Sequence, residues 1–195
     1  MRRNFVITIG TFLLVGLIMP ARMLFGTETS RPPAVTSNSA NWYYTEQASN
    51  LLNEMQTLAF KVRKKVARLQ VQGDELGWQM QSDRLAEARS DVNVIGDDLV
   101  RLDHTKNMIE PWQKNLVHKV TPEIHEMVYQ MDAAIDTLNA HESRTDLALT
   151  EYPQNINIIY KSANRMAGTI GTVTQYAQAE ERLAELKPST GSARS

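Results

Sequence analysis

Four histidines, His104, His118, His125 and His141, are the first residues to test for chemistry, because helical proteins hold metals and haem through facing side chains. A ferritin-like di-iron site needs Glu-x-x-His pairs, but the positions three before these histidines are Arg101, Asn115, Pro122 and Leu138. That site is absent from the sequence. His118 and His125 stand seven residues apart and share a helical face, with Pro122 freeing carbonyls between them, so they form the candidate pair for a metal or haem. The plainer reading is two partly exposed polar residues, since zinc takes three or four ligands. His104 and His141 fall near helix ends and read as turn residues.

Met55, Met127, Met131 and Met166 offer thioethers to copper or haem, yet methionine is also a flexible core filler. All but Met127 are in phase with an apolar stripe, which favours packing. Ala163, Ala167 and Gly171 make a small-residue ridge beside Gly168. Such a ridge suits a closely packed neighbouring helix, or else a flat ligand, with Gly171 at its end, lying against bare backbone. Trp42 and Trp112 begin two helices at one end of the expected bundle, where Tyr43 and Tyr44 join them. They read as an aromatic plug for the core or as a docking patch for a protein. Lys61, Arg63, Lys64, Lys65 and Arg68 crowd one helix end without accompanying aromatics, as a solvated basic face or a patch for anionic lipid or polymer.

Other chemistries are missing. The chain has no cysteine, hence no disulfide, thiol nucleophile, Cys-held zinc or covalently attached haem. It has no Gly-x-Ser-x-Gly, no phosphate-binding glycine loop and no His-Glu-x-x-His. Asp97 with Asp98 and Glu180 with Glu181 are sequence neighbours that point to different parts of a helix, and they read as solubilising charges. No catalytic residue is identified, and no cofactor is expected.

These residues are carried by four segments with helical periodicity. Val117, Thr121, Ile124, Val128, Met131, Ile135 and Leu138 recur at steps of three and four, the narrow seam of a bundle or coiled coil. Ala48, Leu51, Met55, Leu58, Val62, Val66 and Leu69 do the same in a helix expected over 41–72 and stopped by Gly73. A second helix, 78–102, carries Trp78, Leu85, Ala88, Val92, Ile95, Leu99 and Leu102; a fourth, 153–187, carries Ile156, Ile159, Ala163, Met166, Ile170, Val173 and Ala177. The third starts at Pro111, and Pro122 inside it predicts a kink, with Thr121 able to cap the second half. Leu147 and Leu149, in the longest connection, are expected to fold back on the bundle end. The short turns at 73–77 and 103–107 predict an all-α, antiparallel, up-down-up-down four-helix bundle over 41–187.

The chain before the bundle speaks to location. Arg2 and Arg3 precede an apolar run from Phe5 to Met19 that Pro20 and Arg22 interrupt, the pattern of a signal peptide or an N-terminal membrane anchor over 1–25. The positive end stays inside and the rest crosses, which puts the bundle in the periplasm or on the outer side of an inner membrane. Residues 26–40 have little to bury and read as a disordered linker, and 188–195 as a disordered tail. Among 195 residues, 21 basic and 22 acidic side chains are interspersed to a net charge of −1, so no general field favours nucleic acid.

Around Ile109-Glu110-Pro111-Trp112-Gln113, at Leu138-Asn139 and at Tyr176, residues 41–187 resemble uncharacterised bacterial exported or anchored four-helix-bundle proteins. The architecture is also similar to the sensing domains of bacterial chemoreceptors, at the level of fold. The resemblance implies no activity. The expected function is a non-enzymatic interaction module of the cell envelope that binds a protein partner or itself as a homodimer. The alternative is a bundle that binds a small molecule, haem or metal.

Overall fold

The computed structural model describes residues 37–73, 75–141 and 147–186. These residues fold into four helices packed against one another, α1 (Ser37–Gln72), α2 (Trp78–Thr105), α3 (Pro111–Ala140) and α4 (Tyr152–Leu186), with no strand among them. Helix α1 packs on α2 and α4, and α3 packs on the same two. The export segment over 1–25 and the tail over 188–195 lie outside the described residues. So does most of the expected linker, but its last four residues are helical, because α1 begins at Ser37 rather than at 41. Ser37-Asn38-Ser39-Ala40 contains neither proline nor glycine, and a helix already nucleated extends cheaply through such residues. Among the described residues no helix is long and apolar enough to cross a membrane.

The seven stripe residues of α1 are all buried, and the core also takes Leu52 and Ala59. The turn into α2 is tight. Glu75 and Leu76 both donate their amides to the Gln72 carbonyl, and the buried Gln81 side chain donates to the Gly73 and Leu76 carbonyls at 3.0 and 3.1 Å. Helix α2 runs three residues past the expected Leu102, its last turn tightened by the Thr105 hydroxyl bonding back to the Arg101 and Leu102 carbonyls.

Helix α3 departs from the expected phase. Its buried line is Gln113, Leu116, Val120, Ile124, Met127, Met131, Ala134 and Leu138, while Val117, Thr121 and Ile135 are half-buried and Val128 is 40% exposed. The apolar arc of α3 is wide, so three-and-four spacing fits two adjacent lines, and packing centres on the one containing Met127. All four methionines considered as ligands, Met55, Met127, Met131 and Met166, are buried in the common core. Helix α3 is continuous through Pro122, and Thr121 does not cap: its hydroxyl donates to the Val117 carbonyl at 2.8 Å. Leu147 folds onto the core as expected, but Leu149 is 86% exposed.

Candidate functional site

Gln113 positions the aromatic end. It is fully buried; its Oε1 accepts the Glu110 amide at 2.9 Å, and its Nε2 donates to the Thr45 carbonyl at 2.9 Å and the Ser49 hydroxyl at 3.0 Å. One side chain thus caps α3 and ties it to the early turns of α1. The sequence-expected aromatics divide there. Tyr44 and Trp112 are half-buried against the core, with Tyr44 meeting Tyr43 edge to face at 5.5 Å, whereas Trp42 is 67% and Tyr43 58% exposed. The group is therefore part plug and part surface.

Trp42 and Trp112 line a groove of about 550 Å³ together with Thr45, Glu110, Ala177, Glu180 and Glu181. Two indoles and three carboxylates from three helices and a turn converge on it. None of the three carboxylates is in a salt bridge among the described residues. The neighbouring Glu180 carboxylate holds the Tyr176 phenol above its ordinary range. Aromatic faces bordered by carboxylates attract a cation carried on an apolar skin, such as a lysine or arginine stem.

The basic strip is less uniform than its sequence suggests. Lys65 donates to Asp91 at 2.8 Å and to the Glu87 carbonyl at 3.1 Å, so it serves the α1–α2 contact. Arg63 bonds Asn164 at 2.8 Å and stacks 4.9 Å above the Phe60 ring. Lys61, Lys64 and Arg68 face solvent, the last two beside a shallow depression of about 780 Å³ shared with Phe60, Val71 and Tyr160. Aromatics do accompany the strip: Phe60 precedes Lys61 in sequence, and Tyr160 arrives from α4.

His118 and His125 are both exposed; His118 borders a depression beside Lys106 and Lys114, and His125 is not among the residues that line it. Among the described residues no group of three or more His, Asp or Glu side chains is placed to hold a metal ion. Gly171 has an ordinary packing reason: Gln56 lies against it, donating to the Ala167 carbonyl at 3.1 Å, and a Cβ on Gly171 would meet the Gln56 amide. The room considered for a flat ligand is filled by that side chain.

No family model, curated protein or solved structure matches this chain. The candidate site therefore stands on its geometry. Sequence reasoning found the tryptophans and missed their acidic rim. Glu180 and Glu181 follow the buried Ala177 by three and four residues on α4, a spacing that puts them just beyond the packed end of its buried face.

Proposed function

We propose that this protein is a non-enzymatic interaction module that binds other proteins through its aromatic, acid-edged end. The observation that carries the reading is the convergence of Trp42 and Trp112 with Glu110, Glu180 and Glu181 on one groove. The fitting partner presents a basic surface with apolar stems. The chain's own strip around Phe60, Lys64 and Arg68 is one such surface, so homotypic docking belongs to the same proposal. The short connections support an antiparallel, up-down-up-down order for the four helices. The Arg2-Arg3 start and the Phe5–Met19 run support export, with the bundle in the periplasm or held by residues 1–25 on the outer side of an inner membrane.

The test is crosslinking capture of the intact chain from its native membranes, with light scattering of the purified protein, comparing the natural chain with Trp42→Ala and with Glu180→Lys/Glu181→Lys. All the changed side chains are exposed, so the bundle should fold in each. A partner, or a second copy, that is held by the natural chain and released by both variants and by salt supports the reading. Capture indifferent to both variants and to salt refutes it.

A further inference from the structure

Helix α4 does not stop where its packing stops. Ala177 is its last buried residue, yet the helix continues to Leu186. On this stretch Tyr176, Ala179, Leu183 and Leu186 recur at steps of three, four and three, the spacing of a coiled-coil seam. At about 100° per residue they fall within about 80° of one another, on the side turned from Ala177. Tyr176 is 65%, Leu183 61% and Leu186 77% exposed, and Ala179 is exposed beside them. Ala179, Arg182 and Leu183, with Gln175 and Gln178, border a depression of about 470 Å³, a hole into which a knob from another helix can fit. No residue lining the acid-edged groove is one of the four seam residues.

We propose that this seam pairs with the same seam of a second copy, in parallel, as a short two-stranded coiled coil distinct from any docking at the groove. A flat partner would leave a three-four-three stripe half covered, whereas an identical stripe meets it residue for residue. The flanking charges choose the direction. The antiparallel register that pairs all four seam residues sets Tyr176 against Leu186 and Ala179 against Leu183, but it brings Arg182 beside Arg182 and Glu180 beside Glu180. The parallel register instead places Gln175 beside Glu180 of the second copy, a hydrogen-bonding pair. It also sets Ala179 against Ala179, where small side chains let the two backbones approach. The next flank would set Arg182 beside Lys187, and that like-charged pair ends the seam. About three turns per copy is little beside the roughly 800 Å² per partner of a standard interface, so the pairing is reversible. It supplies the burial that a lone α4 lacks beyond Ala177.

The chain has no cysteine, so one introduced thiol reads the seam directly. The full chain is expressed in its native cells and oxidised in place with copper phenanthroline. It carries Ala179→Cys, or Glu185→Cys as an exposed site about 140° round the helix from the seam. All the side chains changed are exposed, so the bundle should fold in each variant, which circular dichroism of the purified chains checks. The expected result is a disulfide-linked dimer from Ala179→Cys, at least about tenfold stronger than from Glu185→Cys. Adding Leu183→Lys should cut that dimer at least about tenfold, since the seam would then bury two ammonium groups. Adding Trp42→Ala should leave the dimer band unchanged. No dimer from Ala179→Cys, an equal band from Glu185→Cys, or a band indifferent to Leu183→Lys overturns the proposal. Loss of the band with Trp42→Ala also overturns it and assigns self-association to the groove.

Discussion

Replacing Asp98 by asparagine should stabilise this protein at neutral pH. The buried line of α2 reads Gln81, Leu85, Ala88, Val92, Ile95, Asp98 and Leu102, which sets a carboxylate, 1% exposed, among core residues. One oxygen accepts from Arg101 at 3.3 Å, but that guanidinium is mostly in solvent, and the other oxygen has no partner among the described residues. Burial, with repulsion from Glu54 and Asp97, raises the Asp98 pKa above its ordinary value against the pull of Arg101. A buried carboxylate with one oxygen left without a partner costs at least about 1–3 kcal/mol, and an amide of the same shape is cheaper to bury and can still accept from Arg101. A net gain of about 1–2 kcal/mol is expected at pH 7, or roughly 2–8 °C in Tm for a bundle of this size. A raised folded pKa means that the stabilising protonated form is fully present below the unfolded pKa and is lost as pH rises through the folded one. The advantage of Asp98→Asn should therefore be full at pH 7 and shrink at about pH 3, where Asp98 is already neutral. Urea unfolding at both pH values measures it. A destabilised variant at pH 7, or a gain undiminished in acid, would refute the account of Asp98.

Gly168 lies in the interior of α4 with open space where a Cβ would stand, so Gly168→Ala should raise stability by about 0.5–1 kcal/mol in thermal unfolding. Gly171→Ala, three residues further along the helix, should instead lose the Gln56 bond to the Ala167 carbonyl and cost about 0.5–1.5 kcal/mol relative to Gly168→Ala. Arg165 grips Glu123 with two bonds of 2.9 and 2.8 Å, and these, with Ser162, lower the Glu123 pKa. A lowered folded pKa gives stability that is present above the unfolded value and lost as pH falls, so Glu123→Gln should cost about 0.2–1 kcal/mol at pH 7 and nothing measurable in acid. Gln81→Ala frees the Gly73 and Leu76 carbonyls, and amide hydrogen exchange should quicken first around the α1–α2 turn.

The residues themselves show where the sequence was readable. In α1 one apolar line is flanked by Asn53, Glu54, Lys61 and Lys64, so spacing alone identified its buried face. In α3 Val117 and Val128 border the true line closely enough to be mistaken for it. Asp98 was misread because Leu99 stands beside it and looks like the inward residue; the register of α2 turns the carboxylate in and leaves Leu99 half-buried. The groove joins Glu110 to Glu180 and Glu181 across about seventy residues of chain, and nothing local announces that approach. Phe60 beside Lys61 was in plain view, but its role needed Tyr160 from another helix.

Ala177 is the last buried residue of α4, and every residue from Gln178 to Leu186 is exposed. These final two and a half turns have no core to hold them, and a short helical stretch in water is marginal by itself. Fraying from this end should reach Glu180 and Glu181 before it reaches any packed side chain. The acid rim of the groove is thus set by how far α4 happens to be wound at a given moment. Under the proposed docking, a partner would also wind the helix, and its affinity would carry the entropy of ordering those turns.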